Sequence, residues 1–288
     1  MMYADYHLHS EFSDDSRSPM EQQIERAISL GIQEICFTDH VDYGIKKDWT
    51  EDNIQWRGGD GVGTAATDMD PLTNVNYPEY FGKLLRMRKI YGDKITIRNG
   101  LEFGIQQHTI PQYRKLVEEY GKYLDFILLS FHQVENKEFW TGEFMEGRSQ
   151  EEYNLRYYEE MLRVVSEFDD FDVLAHVDLI SRYDPAGSYP FENIKAILTD
   201  IFKIIIEKGK GIEINTSSWH YGLADTMPSG DILRLYHSLG GEIVTIGSDA
   251  HKPEYIGDHF EDARNILKEI GFTKIYTFEK HKPIPHDI

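Results

Sequence analysis

Asp5-Tyr6-His7-Leu8-His9-Ser10 ends the first apolar segment of the chain, and its two histidines flank a single leucine. On a strand, residues i and i+2 point to the same face, so His7 and His9 can converge on one point. A lone His-x-His is a weak signal, but the theme recurs. Thr38-Asp39-His40, Gly100-Leu101-Glu102, Ser130-Phe131-His132, Ala175-His176 and Ser248-Asp249-Ala250-His251 each close a later apolar segment. Asp249 and His251 repeat the i, i+2 spacing. Strand ends that deliver histidine, glutamate and aspartate to one place predict a site for several metal ions.

Outward from that stretch, strands and helices alternate. Tyr3 to His9 reads as the first strand. Ser18-Pro19-Met20-Glu21 reads as a capping box with proline at the first helical position, opening a helix that Gly31 stops. Strands are then expected at Ile35 to Thr38, Ile95 to Glu102, Phe126 to Phe131, Val173 to His176, Ile212 to Asn215 and Ile243 to Ser248. Between them, helices are expected from Pro78 to Tyr91, Ile110 to Tyr120, Gln150 to Phe168, Phe191 to Lys208 and Ile232 to Leu239. A helix from His259 to Ile270 and a short Ile275 to Phe278 segment end the chain.

This alternation implies a parallel sheet. Three of the strands are apolar without alternation, as expected when both faces are covered. In α/β barrels the active site lies at the C-terminal ends of the strands. Every candidate ligand lies there. Residues 41–76 break the rhythm: they are rich in Asp, Gly and Asn and too long for a plain connection. They read either as a lid inserted over the strand ends or as a disordered insertion, within a single domain spanning 1–288.

The chain has 288 residues, 40% of them hydrophobic, which suits a soluble globular protein with an ample core. A net charge of -20 argues against nucleic acid or anionic membrane as partners. A phosphate substrate would then need a locally positive site, which bound metal ions supply. The single cysteine, Cys36, excludes an intrachain disulfide and reads as a small buried strand residue. The first residues show no signal-peptide pattern, so a cytoplasmic location is expected. Of the remaining histidines, His108, His237, His259, His281 and His286 are expected at the surface; His220 stays open. A ligand set without thiolate favours zinc, iron or manganese over a structural zinc site.

His7-Leu8-His9-Ser10 with Ser13-Asp14, Thr38-Asp39-His40 and Ser248-Asp249-Ala250-His251 resemble the signature of the PHP (polymerase and histidinol phosphatase) superfamily. Tyr80-Phe81, Lys94-Ile95-Thr96-Ile97, Gly100-Leu101-Glu102, Ala175-His176-Val177-Asp178 and Glu213-Ile214-Asn215-Thr216-Ser217 resemble its histidinol-phosphatase branch. The resemblance spans nearly the whole chain. It implies an α/β fold, a distorted (β/α)7 TIM-like barrel, with three divalent ions (Zn, Fe or Mn). His7, His9, Glu102 and Asp249 would hold one ion, and Glu102 would bridge to a second held by His132 and His176. Asp14, His40 and His251 would hold the third. Asp15 stands where the family usually has glycine, which makes it an alternative ligand. Trp219-His220 stand where a basic residue is expected.

The resemblance implies a phosphomonoesterase. The first reading is hydrolysis of L-histidinol phosphate in histidine biosynthesis. The second keeps the chemistry and takes a nucleotide, sugar phosphate or phosphotyrosine. An amidohydrolase and a non-catalytic metal-stabilised module follow. His40, Asp249 and His251 are expected at the reacting centre. Arg182, just after strand five, is the expected phosphate fork. Arg156 and His220 are weaker phosphate candidates, and Asp42 or a lid carboxylate is expected to meet the substrate's amine.

Overall fold

A computed structural model describes residues 2–52, 56–58 and 69–288; the expected lid, 41–76, lies in part outside the described residues. Strands β1 (Ala4–Leu8), β2 (Glu34–Phe37), β3 (Thr96–Gly104), β4 (Phe126–Ser130), β5 (Val173–Leu174), β6 (Gly211–Asn215) and β7 (Val244–Gly247) form one sheet in sequential order. Every neighbouring pair is parallel. A parallel bridge between Leu8 and Ala250 joins the first strand to the turn after the last, with His9 N donating to Ala250 O at 3.1 Å. The sheet is thus a nearly closed seven-stranded barrel, as the alternation predicts.

Helices α1 (Met20–Ser29), α2 (Tyr77–Tyr91), α3 (Ile110–Tyr120), α4 (Gln150–Glu167), α5 (Phe191–Glu207), α6 (Gly230–Ser238) and α7 (Phe260–Ile270) cover the sheet. Local chemistry sets their starts. Asn76 accepts from Glu79 N ahead of α2, and Ser149 and Glu152 form a reciprocal capping box on α4. The box expected at Ser18 does not form. Pro19 is the N-cap residue of α1, and the Ser18 hydroxyl instead donates to His251 O at 2.8 Å. A tertiary acceptor has replaced the local one, and it ties α1 to the site.

The larger apolar core lies between strands and helices and includes Ile35, Leu101, Leu129, Met161, Leu198 and Ile214. A second cluster fills the barrel floor with Ala4, Tyr6, Cys36, Phe126, Val173 and Phe278. Phe278 comes from a C-terminal hairpin, β8 (Lys274–Glu279) with β9 (Lys282–Asp287), only one arm of which the sequence suggested. Its ring lies 5.0 Å from Phe126, and its N–H donates to Tyr6 Oη at 2.6 Å. His281 N donates to Asp125 O, fixing the hairpin under β4. The floor is therefore plugged, and the open end is the one that carries the histidines.

Two local departures position the site. Ladder register shifts between Asp5 and Leu8, so Tyr6 joins the floor cluster while the adjacent His7 reaches the site above it. A regular strand would send those neighbours to opposite faces. Strand β5 is short, and His176 lies beyond it; Asp249 and His251 likewise lie beyond β7. These two converge through a turn and not by strand alternation. Asp249 has φ +53°, a left-handed conformation that aspartate tolerates better than most residues.

Candidate metal centre

Glu102, on β3, is the hub. Its Oε1 accepts from Ser130 Oγ at 2.5 Å and lies 3.1 Å from His132 Nε2 and 3.0 Å from His176 Nε2. Its Oε2 lies 3.1 Å from His7 Nε2, 3.4 Å from His9 Nε2 and 3.0 Å from His40 Nδ1. One fully buried carboxylate therefore faces five imidazoles. Asp249 Oδ1 lies 3.5 Å from His7 Nε2 and 3.3 Å from His9 Nε2, and 3.7 Å from His251 Nδ1. The His9 ring stacks between those of His40 and His251, with centroids 4.3 and 4.2 Å away.

Outer partners settle which ring nitrogen is left for a ligand. His7 Nδ1 donates to Glu213 Oε1 at 2.7 Å, and His132 Nδ1 to Asp42 Oδ1 at 2.8 Å. Ser13 Oγ gives its one proton to Asp39, so it accepts from His9 Nδ1 at 3.2 Å. That tautomer leaves each Nε2 facing Glu102 or Asp249 as the nitrogen a cation would take. His7 Nε2, His9 Nε2, His40 Nδ1 and Glu102 Oε2 are buried without a hydrogen-bond partner. Buried acceptors that converge without a proton between them fit cations. Among the described residues, His7–His9–Asp249, His7–Glu102–His176, His9–His40–His251 and His40–Asp42–His132 each bring ligand atoms within 4.8 Å of one another.

The charges are tightly coupled. Burial pushes His9 down to about 3, with His251 and His40 adding to the effect. Burial opposes charge on Glu102 too, but His7, His132 and His40 outweigh it and hold that carboxyl well below its usual range. Asp249 is held well below likewise, against burial, by His7, His9, His251 and Arg182. Both carboxylates are thus held in the ionised form by the imidazoles around them.

Glycines make room for this packing. A Cβ on Gly104 would land on the Asp42 carboxylate and 2.7 Å from His132 Nδ1. One on Gly247 would meet Glu213 and lie 2.5 Å from His7 Cβ. Neither glycine needs a positive φ; close approach is the reason for both.

The other expected site residues divide. Asp14 does not face His40 or His251: its Oδ1 lies 2.5 Å from the buried Lys46 Nζ. Asp15, the alternative, places Oδ2 3.4 Å from His40 Nε2 and 3.2 Å from His251 Nε2. Asp42 lines the cavity over the cluster, and its oxygens lie 2.8 Å from His132 Nδ1 and 2.8 Å from Lys46 Nζ. Arg156 pairs with Glu135 at 3.1 Å and Glu160 at 3.0 Å and does not line the cavity over the cluster. Arg182 and His220 do line it, in a cavity of about 750 Å³. The His220 ring lies 3.9 Å from that of Tyr255.

Sequence reasoning gave no role to Glu213 or Lys46. Glu213 stands at i, i+2 with Asn215 on β6, a spacing that could have marked it as inward-facing. Lys46 follows Asp42 by four residues and pairs with it locally, and the fold brings Asp14 to its other side.

The PHP domain profile matches residues 5–217. The chain is 31% identical to a histidinol-phosphatase of Lactococcus lactis, covering 98% of this chain and 96% of that protein. It is 22% identical to a histidinol-phosphatase of Bacillus subtilis, over 91% of this chain and 98% of the other. A crystal structure of the Lactococcus lactis histidinol phosphate phosphatase, complexed with zinc, L-histidinol and phosphate, superposes with a TM-score of 0.81 at 29% identity. Coverage there is 98% of both chains.

Proposed function

The chain belongs to the PHP domain family, and from that membership we propose that it is a metal-dependent phosphomonoesterase hydrolysing L-histidinol phosphate to L-histidinol and phosphate. The observation that carries this is Glu102, one buried carboxylate facing five imidazoles at the open end of a barrel. The complex of the Lactococcus lactis relative with zinc, L-histidinol and phosphate supports the substrate.

We assign three divalent ions, zinc, iron or manganese. His7, His9, Glu102 and Asp249 would hold one; Glu102, His132 and His176 a second; His40, His251 and Asp15, in place of Asp14, the third. Bound ions supply a water of lowered pKa and positive charge opposite the phosphoryl oxygens. The chain's own residues do the rest. Glu213, Asp42 and Ser13 hold the imidazoles in the ligating tautomer. Arg182, side chain 9% exposed and 3.5 Å from Asp249, is the phosphate fork, with a buried Nε that has no hydrogen-bond partner. His40, Asp249 and His251 surround the reacting phosphoryl group. Among the described residues no helix is long and apolar enough to cross a membrane.

A panel of phosphomonoesters assayed on metal-loaded protein tests the reading. Histidinol phosphate should show the highest kcat/KM, by at least about tenfold, a pocket discrimination of ordinary size. Preference for a nucleotide, sugar phosphate or phosphotyrosine would leave the phosphatase and replace the substrate. Amide hydrolysis without phosphate release would overturn both.

A further inference from the structure

Arg182 lies in the helical turn Ile180–Tyr183 after β5. One terminal nitrogen donates to Ser217 Oγ at 2.6 Å. Ser217 Oγ donates in turn to Asn215 Oδ1 at 2.6 Å, and Asn215 Nδ2 donates to Glu213 Oε2 at 3.2 Å. Glu213 is the partner of His7 Nδ1. The guanidinium is therefore tied, along one edge, to the carboxylate that orients a metal ligand. Its face is covered from another element. The guanidinium carbon lies 4.0 Å from the centroid of the Tyr221 ring, just past the turn Ser217–His220.

We propose that Tyr221 is a positioning residue, whose ring face fixes the plane in which the cavity-lining Arg182 guanidinium meets the substrate's phosphoryl group. The proposal rests on the reading of Arg182 as the phosphate fork. An arginine side chain has several rotatable bonds, and the contacts to Ser217 at 2.6 Å and Asp249 at 3.5 Å are both made by one terminal nitrogen, which leaves the plane of the fork able to turn about it. A ring stacked at 4.0 Å removes that freedom and attracts the cation through its quadrupole. Fixing the plane before substrate arrives is what makes a planar fork effective. Tyr221 itself is 53% exposed and forms part of the cavity wall, so truncating it opens no hole in the core. Its contribution is to the arginine and not to the fold.

The test is a double-mutant cycle on metal-loaded protein, reading KM, kcat and the inhibition constant of inorganic phosphate. Tyr221→Ala should raise KM and weaken phosphate inhibition about fivefold, the size of a half-desolvated cation–π contact. Tyr221→Phe keeps the ring face and should recover most of that loss. Added to Arg182→Ala, Tyr221→Ala should cost less than about twofold more, because its partner is gone. Wild-type phosphate inhibition in Tyr221→Ala overturns the proposal, and so does an undiminished fivefold loss in the Arg182→Ala background. If Arg182→Ala itself leaves KM and phosphate inhibition unchanged, the phosphate-fork reading falls, and this proposal with it.

Discussion

At the scale of single residues, neighbouring aspartates do different work. Asp14 neutralises the buried Lys46, whereas Asp15 reaches His40 and His251. Asp15→Asn should therefore lower bound metal by one ion per chain and lower kcat. Asp14→Asn should keep the metal, since Lys46 retains Asp42 as a partner. Elemental analysis of both variants decides it; the reverse pattern would return Asp14 to the third ion. Glu213 acts one shell further out, on His7 Nδ1. Replacing such an outer carboxylate typically costs about 10–100-fold in metal affinity, and we expect Glu213→Ala to fall in that range in a chelator competition. Affinity unchanged within about twofold would mean that His7 keeps its tautomer without help. The strand-end histidines and Glu102 were legible in the sequence because each closes an apolar run. The choice between Asp14 and Asp15 was not, because they sit in a turn, where no periodicity says which side chain points inward.

Among the elements, the C-terminal hairpin has the clearest consequence. It seals the barrel floor through Phe278, and His281 at its tip places Nδ1 2.8 Å from Asp172 Oδ2. The hydrogen bond to Asp172 raises the His281 pKa, against the smaller effect of burial. With the folded pKa above the unfolded value near 6.5, the pair's stabilisation is fully present below about pH 6.5. It is lost as pH rises through the raised folded pKa. The His281 side chain is 37% exposed, so solvent screening limits the contribution to below about 1 kcal/mol. Stability from denaturant titrations should fall slightly over the window just above pH 6.5 in the parent protein, and His281→Gln should flatten that slope. An identical slope in both would show that the pair carries no pH dependence. The first arm of the hairpin was visible as an apolar run from Ile275 to Phe278. The second, Lys-Pro-Ile-Pro-His-Asp, carries two prolines and reads as no strand at all. Its ladder position is set by the partner strand; as an outer arm it tolerates the missing donors.

For the whole molecule, the apolar cores are separate from the metal centre: one lies outside the barrel wall and one on its floor. Chelation should therefore abolish activity while far-UV dichroism stays largely intact. Each ion held at a thousand times its dissociation constant adds about 4 kcal/mol, so removing even one should lower Tm by roughly 10 °C for a chain of this size. Collapse of the far-UV signal on chelation would mean that the ions hold the barrel together. The overall charge of -20 sets the same scale of problem for a phosphate substrate. Arg17, Lys46, Arg182 and Lys252 line the cavity, Lys46 being paired with Asp14 and Asp42, and bound metal ions would add to the positive charge these side chains bring. By itself, the sequence determined the alternation of strands and helices, hence the parallel barrel, and the residues that end each strand. Those are properties of local periodicity and of chain order. The tertiary structure alone decided the rest. It made Glu102 the common neighbour of five histidines, paired Asp42 with His132 and Arg156 with Glu135, and laid Tyr221 on Arg182. Each of these is a contact between segments far apart in the chain, fixed by barrel closure and by turns whose geometry no local pattern encodes.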